Sequence, residues 1–186
     1  DYWDAFYKYD NIQGGFVWDF IDQGLRQFTD RGERFAYGGD YGDEPNDKNF
    51  NINGLVFPDR TPSPGLIEYK KVLEPVKLEA ENLEEGEVKI SNRYDFINLN
   101  HLQFSWEVKE DGRLIESGFI PAPEIEAGST KIVEIPFQEP LSEKPGAEYW
   151  LNIQCTLAQD TTWAKTGFEI AREQFSLTPE SGSNYS

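Results

Sequence analysis

The chain has 186 residues, of which 17 are basic and 34 acidic, and its formal net charge is −17. This excess of carboxylates repels a phosphate backbone, and no basic cluster offers a contact for an anionic membrane surface, so nucleic acid and membranes are excluded as partners. No apolar run approaches the roughly 20 residues that span a bilayer. Hydrophobic residues make up 38% of the chain and aromatic residues 15%, which predicts a folded protein with a substantial core.

The chain begins with a pattern that is typical of a helix. Tyr2, Ala5, Phe6 and Tyr9 recur at helical spacing, so that their side chains share one face. The Gly14-Gly15 pair then interrupts the pattern, because glycine is a poor helix former. We therefore predict that a helix ends before these two glycines.

A short continuous apolar run, Phe16-Val17-Trp18, follows the glycines and is succeeded by Asp19. Continuous runs of this length are typical of parallel strands that are buried on both faces. We predict such a strand here, with Trp18 at a tip that opens onto a sugar site. Because the run begins so soon after a first residue other than methionine, we also expect the chain to be a piece of a larger protein.

A segment rich in glycine, aspartate and asparagine, from about residue 24 to residue 64, is predicted to be one long loop. Structureless loops of this length are uncommon in compact domains and are often functional. Residues 37–50 combine oxygen-bearing side chains with glycines, and residues 50–55 add backbone and amide carbonyls. Such oxygens suit a hard cation such as sodium, so the segment predicts a cation or sugar site. A merely turn-rich loop is the alternative.

None of the carboxylates in this part of the chain lies in a pattern that marks a catalytic nucleophile or acid. We interpret them as turn caps or ion-pair partners of Arg60 and its neighbours. The single histidine, His101, starts a later strand, and the single cysteine, Cys155, lies on the apolar face of another, so neither is predicted to be catalytic. The carboxylates are Asp19, Asp22, Asp40, Asp43, Glu44, Asp47 and Asp59.

A second helix is predicted after Thr61-Pro62-Ser63-Pro64, because proline in the first turn and the lysines 70 and 71 in the last turn are favourable helix ends. A helix, a strand, a long loop and a helix form half of the repeating pattern of a (β/α)8 TIM barrel, whose active site is built from the loops after the strands. One strand and two helices cannot close a barrel. Residues 1–73 are therefore predicted to be a remnant of one.

The remainder of the chain has the two-residue alternation of β-strands. Asp111-Gly112 between two alternating segments is a strong hairpin signal. About seven short strands predict an antiparallel, immunoglobulin-like β-sandwich over residues 74–179, followed by a flexible tail over residues 180–186. The predicted strands cover residues 76–80, 88–92, 102–108, 114–120, 131–137, 149–157 and 168–177.

Five motifs in residues 1–73 give the chain a specific resemblance to a known family. In their order and spacing they resemble the bacterial β-galactosidases of glycoside hydrolase family 2, and the sandwich resembles the next domain of those enzymes more loosely, through about residue 178. The motifs are Gln13-Gly14-Gly15-Phe16-Val17-Trp18-Asp19, Tyr37-Gly38-Gly39-Asp40, Pro45-Asn46-Asp47, Asn53-Gly54-Leu55-Val56 and Asp59-Arg60-Thr61-Pro62.

The resemblance implies the C-terminal end of a catalytic TIM barrel from an enzyme that hydrolyses terminal β-D-galactosides with retention. It places both catalytic glutamates upstream of this chain, so that the chain contains no catalytic residue and would be inactive alone. The galactoside and the remainder of the parent enzyme would be its partners, and the parent would form a homotetramer. The sequence does not fix the compartment, and the resemblance favours the cytoplasm over the periplasm.

The resemblance also assigns supporting roles to four residues. Trp18 would form the floor on which the galactose ring stacks, with a cis peptide bond after it. The backbone carbonyl of Phe50 and the side chain of Asn53 would ligate a sodium or potassium ion that contacts a galactose hydroxyl, so Asn53 also belongs to the substrate site. Asn46 would lie behind the direct ligands of a magnesium ion. None of these ions is expected to bind tightly to this chain alone.

A non-catalytic carbohydrate-binding module is the alternative function, with Trp106, Trp150 and Trp163 as candidate aromatic platforms. Trp106 is in phase with apolar neighbours and is predicted to be in the core. Trp150 is out of phase with its strand, so it is predicted to be exposed or to face a neighbouring domain. A third option is a structural spacer, which is the role that we favour for the sandwich because it shows no convergent polar cluster.

Overall fold

The computed structural model describes residues 2–121, 123–138 and 146–178. The chain divides into two compact units, Asp1–Leu73 and Glu74–Ser186. The predicted flexible tail over residues 180–186 lies outside the described residues. Among the helices that the structure describes, none has the length and apolar character needed to cross a membrane.

The first unit contains two α-helices, as predicted. Helix α1 spans Tyr2–Lys8, and helix α2 spans Pro64–Val72. Helix α2 has proline at its first position and lysines in its last turn, as its sequence indicates. Trp3 of α1 makes an edge-to-face ring contact with Tyr69 of α2, with the ring centroids 5.3 Å apart. The two helices therefore pack against each other within this unit.

The prediction of a buried strand at Phe16-Val17-Trp18 is wrong. These three residues form no strand, and the side chains of Phe16 and Trp18 are exposed. Strand-like pairing begins one residue later, where the N–H of Asp19 donates to the carbonyl of Asn53 at 3.2 Å. Ile21 then forms a parallel bridge with Val56. A parallel strand is buried on both faces only when strands and helices flank it, and residues 16–18 receive no such cover here.

The prediction of one long loop over residues 24–64 is also wrong, because the segment contains a hairpin. Strand β1 (Leu25–Thr29) pairs antiparallel with β2 (Gly32–Ala36). The hydroxyl of Thr29 donates to the carbonyl of Gly32 at 3.0 Å and so closes the turn. A short 3-10 helix, Lys48–Asn51, adds further regular structure. The hairpin was missed because its turn, Asp30-Arg31, lacks the Asn-Gly or Asp-Gly signature of a hairpin, and the surrounding polar composition conceals the alternation.

The second unit consists of two antiparallel sheets, and every predicted strand is present in the described residues. The strands are β3 (Val76–Asn82), β4 (Glu87–Asn92), β5 (Leu102–Glu110), β6 (Arg113–Ile120), β7 (Thr130–Glu134), β8 (Tyr149–Leu157) and β9 (Glu169–Ser176). One sheet has the order β3-β4-β7 and the other the order β6-β5-β8-β9. Strand β7 ends at Glu134, rather than continuing to Phe137 as predicted.

The turn between β5 and β6 confirms the hairpin signal. Asp111 and Gly112 have φ angles of 47° and 80°, which are both positive. Two-residue hairpin turns of this kind need positive φ at both positions, and Asp-Gly accepts it at low cost. The sequence signal at this turn is therefore sufficient to specify its backbone.

One hydrophobic core contains residues from both sheets of the second unit. Trp106 and Cys155 belong to it, which confirms the prediction that the indole is in the core and that the thiol is a buried apolar group. The largest fully buried side chains include Phe104, Ile90, Leu99, Leu102, Ile125, Ile135, Leu151, Ile153 and Leu157.

The Trp106 indole is expected to leave no room for a side chain at position 118, which is occupied by glycine. The two residues face each other in the register of β5 and β6. A Cβ on Gly118 would lie 2.9 Å from Cε2 and Cζ2 of the indole, well inside the ~3.5–4.0 Å at which carbon atoms pack. Replacing Gly118 with alanine should therefore displace the indole and lower the free energy of unfolding by about 1–3 kcal/mol.

Urea unfolding of the 186-residue chain measures this effect. Ser117→Ala is the matched control, because Ser117 is the exposed neighbour of Gly118 on the same strand. An unchanged urea midpoint in Gly118→Ala would contradict the steric argument.

Candidate active site

The exposed indole of Trp18 is the most prominent feature of the first unit. Its side chain is 71% exposed, and the peptide bond between Trp18 and Asp19 is cis, as the resemblance implies. A large, flat apolar surface held open to solvent is suited to stacking against another flat or apolar surface. Trp18 can therefore act as a platform for a ligand.

The carboxylate of Asp19 supports the backbone directly after Trp18. It accepts a hydrogen bond from the side-chain amide of Gln23 at 2.9 Å and from the N–H of Phe20 at 2.6 Å. These two donors, the Gln23 amide first, lower the pKa of the Asp19 carboxyl below its ordinary value. Asp19 is therefore held ionised as a local cap, which agrees with the turn-capping interpretation of its sequence.

Other carboxylates of this unit also cap turns. Asp59 accepts hydrogen bonds from the N–H and the hydroxyl of Thr61 at 2.9 and 2.6 Å. Asp40 accepts from the N–H of Tyr37 at 3.1 Å. The predicted turn-capping role is confirmed for these groups, since their oxygens satisfy local backbone donors.

Phe50 and Asn53 lie together at the end of the 3-10 helix. The side-chain amide of Asn53 donates to the backbone carbonyl of Phe50. An asparagine amide carries an oxygen on one side and an NH₂ on the other, so a turn of this amide would place its oxygen beside the Phe50 carbonyl. Two neutral oxygens side by side suit a hard monovalent cation. These two residues are therefore in direct contact, and their cation role stays a prediction.

Asn46 lies in a separate turn and organises it. Its NH₂ group donates to the carbonyl of Asp43 at 2.8 Å, and its side-chain oxygen accepts the N–H of Lys48 at 3.2 Å. Both polar ends of the side chain are thus used by the loop itself. This geometry fits a residue that shapes a site from behind, rather than one that binds an ion directly.

Within residues 2–121, 123–138 and 146–178, no group of three or more His, Cys, Asp or Glu side chains is placed to hold a metal ion. The candidate cation position instead brings together two uncharged groups, the Asn53 side-chain amide and the Phe50 backbone carbonyl.

Trp18 and Asn53 belong to one local structure. The N–H of Asp19, which is part of the peptide after Trp18, donates to the carbonyl of Asn53. The N–H of Leu55 donates back to the carbonyl of Asp19 at 3.1 Å. The position of the indole and the position of the Asn53 side chain are therefore set by the same pair of backbone segments.

Sequence reasoning missed the importance of Asp22 and Gly54. The carboxylate of Asp22 accepts the N–H of Gly54 at 2.7 Å, across 32 positions of the chain. The only sequence signal was that an Asp follows the apolar run and that Gly54 lies within a family motif. Neither signal pairs the two residues.

The tryptophans of the second unit do not form one surface. Trp106 is buried, and Trp150 is half-buried with its indole N–H directed to Glu148 at 3.4 Å. Trp163 is 63% exposed and makes an edge contact with Phe168, with centroids 5.3 Å apart. Only Trp163 presents an indole that could serve as an open platform.

Comparison with known protein families shows the family to which this chain belongs. Residues 1–78 match the family model for the TIM barrel domain of glycosyl hydrolases family 2, and residues 88–178 match the model for domain 4 of β-galactosidase. The chain belongs to glycosyl hydrolase family 2. The first unit is accordingly part of a TIM barrel domain of this family, and the second is the β-rich domain that follows it.

Curated members of the family align with nearly the whole chain. The β-galactosidase of Photobacterium profundum is 41% identical over 181 residues, and that of Priestia megaterium is 40% identical over 179 residues. These alignments cover 96% and 95% of this chain, which spans 17% of the length of each relative. Among solved structures, the exo-chitosanase CsxA of Amycolatopsis orientalis is 18% identical, covers 68% of this chain and 14% of its own length, and has a TM-score of 0.42.

Membership of the family explains why the strand prediction at residues 16–18 was wrong. In a TIM barrel each strand is covered by neighbouring strands inside the ring and by helices outside it. The described residues of the first unit supply only the segment around Val56 as a parallel neighbour. The apolar run therefore has the composition of a buried strand without the cover that would bury it.

Proposed function

We propose that this chain is part of a β-galactosidase that hydrolyses terminal β-D-galactosides with retention. The chain supplies the substrate floor and the cation-site residues, while both catalytic glutamates lie upstream of it. One observation carries the proposal: the hydrogen bond from Asp19 to Asn53 joins the segment that bears the exposed indole to the contact between the Asn53 side-chain amide and the Phe50 carbonyl. Relatives named β-galactosidase support the choice of substrate.

In this proposal the chain positions the sugar and leaves the covalent chemistry to other residues. The apolar face of a galactose ring stacks on Trp18, whose exposed indole offers the necessary surface. A retaining glycosidase needs two carboxyl groups about 5 Å apart, of which one attacks and the other donates and then accepts a proton. Holding the sugar ring in one orientation between the two carboxyl groups lowers the entropic part of the activation free energy of hydrolysis.

The Phe50 carbonyl and the Asn53 side chain would hold a sodium or potassium ion beside this floor. When bound, the cation would fix a galactose hydroxyl by direct contact. Asn46 would support a magnesium site by shaping the turn around residues 43–48. We propose that further ligands of both ions come from the remainder of the enzyme, so that neither ion binds tightly to this chain alone.

We further propose that the second unit is an immunoglobulin-like sandwich that acts as a structural spacer in a homotetrameric enzyme. Its seven described strands are divided into a sheet of three and a sheet of four, and β6 pairs with β5 rather than with β7. Both sheets share one core, as in sandwiches of that class. The spacer role is supported by the burial of Trp106, which removes one of the three candidate sugar platforms.

A carbohydrate-binding role for the second unit is the second candidate, and the exposed Trp163–Phe168 pair favours it. Titration of the 186-residue chain with galactose and with β-galactoside oligosaccharides distinguishes the two roles. Saturable quenching of tryptophan fluorescence that Trp163→Ala abolishes would support binding, and an unchanged spectrum supports the spacer.

The enzymatic proposal predicts that the 186-residue chain does not hydrolyse a chromogenic β-galactoside, whereas the full-length protein does. The reason is that retention needs two carboxyl groups that this chain is proposed to lack. Both proteins are assayed at equal molar concentration, with product stereochemistry followed by NMR. Turnover by the chain alone, or inversion by the full-length protein, would contradict the proposal.

A further inference from the structure

One peptide group in the first unit is held at both of its polar ends. The carbonyl of Asn53 and the N–H of Gly54 belong to the same peptide. Its carbonyl accepts the N–H of Asp19 at 3.2 Å, and its N–H donates to the carboxylate of Asp22 at 2.7 Å. A peptide that is bonded on both sides cannot rotate without breaking one of these bonds. The direction in which the Asn53 Cα–Cβ bond leaves the backbone is therefore set with it.

The backbone around this peptide is tightly packed. A Cβ on Gly54 would clash with the backbone nitrogen of Asp22 and would lie 2.7 Å from the carbonyl carbon of Ile21 and from the oxygen of Val56. The chain therefore needs glycine at this position, because any side chain would separate the two segments. This close approach brings the Asp22 carboxylate within reach of the Gly54 N–H.

The neighbouring backbone bonds do not satisfy the Gly54 N–H. Asp22 donates its own N–H to Val56 at 3.0 Å, and Val56 donates to Phe20 at 3.1 Å. Both bonds join residues 20–22 to Val56 and leave the Gly54 N–H without a backbone acceptor. The carboxylate of Asp22 supplies that acceptor. A hydrogen bond from a neutral N–H to an ionised carboxylate is stronger than one to a neutral oxygen.

We propose that Asp22 is a positioning residue for Asn53, which it directs toward the cation and the galactose hydroxyl. The inference rests on the proposed function, since it assigns to Asp22 a purpose in that same site. Asp22 itself touches neither ion nor sugar in this arrangement. It acts through the Asn53–Gly54 peptide, and thereby links the Asn53 side chain to the same backbone that carries Trp18.

The test uses the full-length enzyme and the variants Asp22→Ala and Asp22→Asn. Sodium affinity is measured without substrate, by titrating sodium chloride against choline chloride at constant ionic strength and following tryptophan fluorescence. KM and kcat for a chromogenic β-galactoside are then measured at saturating sodium, together with the melting temperature. Asp59→Ala is the matched control, because Asp59 also caps backbone in this unit but contacts Thr61 rather than the Asn53–Gly54 peptide.

We expect Asp22→Ala to weaken sodium binding about 10-fold, the lower end of what loss of a supporting partner causes at a metal site. KM should rise more than kcat falls, because the sugar is held less well while the glutamates are untouched. Asp22→Asn keeps an acceptor oxygen but loses the charge, so its sodium affinity and KM should fall between those of the parent enzyme and Asp22→Ala. Asp59→Ala should lower the melting temperature without changing sodium affinity or KM.

Unchanged sodium affinity and KM in Asp22→Ala would overturn the inference, and so would an Asp22→Asn variant as impaired as Asp22→Ala. If Asp22→Ala is not recovered folded, Asp22→Ser gives the same test, since its hydroxyl is one bond too short to reach Gly54. A parent enzyme that neither hydrolyses the galactoside nor responds to sodium would instead overturn the proposed function itself. The two failures are therefore distinguishable.

Discussion

Replacing Trp18 with alanine in the full-length enzyme is expected to lower kcat/KM for a terminal β-galactoside by about 100-fold, at about 1.4 kcal/mol for each factor of ten. The indole is 71% exposed in this chain, and the proposal is that a sugar ring covers its face in the full-length enzyme. Removing an aromatic platform of this size forfeits the burial of apolar area, at about 25 cal/mol per Å². The loss should affect KM and kcat together, because the floor both binds the sugar and orients it.

Trp163→Ala is the matched control for this prediction. Trp163 is also an exposed tryptophan, at 63%, but it belongs to the second unit and has no proposed contact with the reacting sugar. Its replacement should leave kcat/KM unchanged. Equal losses in the two variants would mean that Trp18 is not the substrate floor. Trp18→Phe should retain more activity than Trp18→Ala, because the smaller phenyl ring can still stack on the sugar.

Replacing Asn92 with alanine is expected to lower the free energy of unfolding by about 3–5 kcal/mol, because a buried side chain loses three hydrogen bonds at once, one of them buried and two partly buried. Asn92 is only 2% exposed. Its NH₂ group donates to the carbonyls of Ile97 and Ile125 at 2.9 and 3.1 Å, and its oxygen accepts the N–H of Tyr94 at 2.9 Å. The side chain thus joins the end of β4 to two separate loops of the second unit.

Urea unfolding of the 186-residue chain, followed by far-ultraviolet circular dichroism, measures this change. Asn152→Ala is the control, since the Asn152 oxygen accepts one side-chain hydrogen bond, from Gln174 at 2.7 Å. Its loss should cost about 1 kcal/mol or less. A similar shift of the urea midpoint in both variants would show that the three-partner network of Asn92 adds nothing beyond a single bond.

Local sequence patterns predicted those parts of the fold whose cause is local. The ends of α2 follow from proline and lysine, and the turn after β5 follows from Asp111-Gly112, because each depends on the conformations of a few adjacent residues. The two-residue alternation of apolar side chains along β5 placed Trp106 in the core. The same alternation along β4 placed Asn92 in phase with apolar positions, but it gave no reason for a polar residue there.

The candidate site was predicted by resemblance rather than by periodicity. Trp18, Asn46, Phe50 and Asn53 were named because they stand in family motifs, and the structure brings Phe50 and Asn53 together beside the segment that carries Trp18. The roles of these residues stay predictions. The hairpin of β1 and β2 was missed in the same region, because glycine and aspartate signal turns without indicating which turns connect strands.

The sequence by itself determined the family, the positions of the β-strands in the second unit and the residues that bear the candidate chemistry. Only the tertiary structure decided that the apolar run ending in Trp18 is exposed, and that Asp22 meets Gly54 across 32 positions of the chain. The physical reason is that burial depends on which segments cover a strand, and a hydrogen bond between distant residues follows no repeating spacing. The burial of a side chain and a hydrogen bond between distant residues both depend on how segments of the chain pack together, so neither can be inferred from one segment alone.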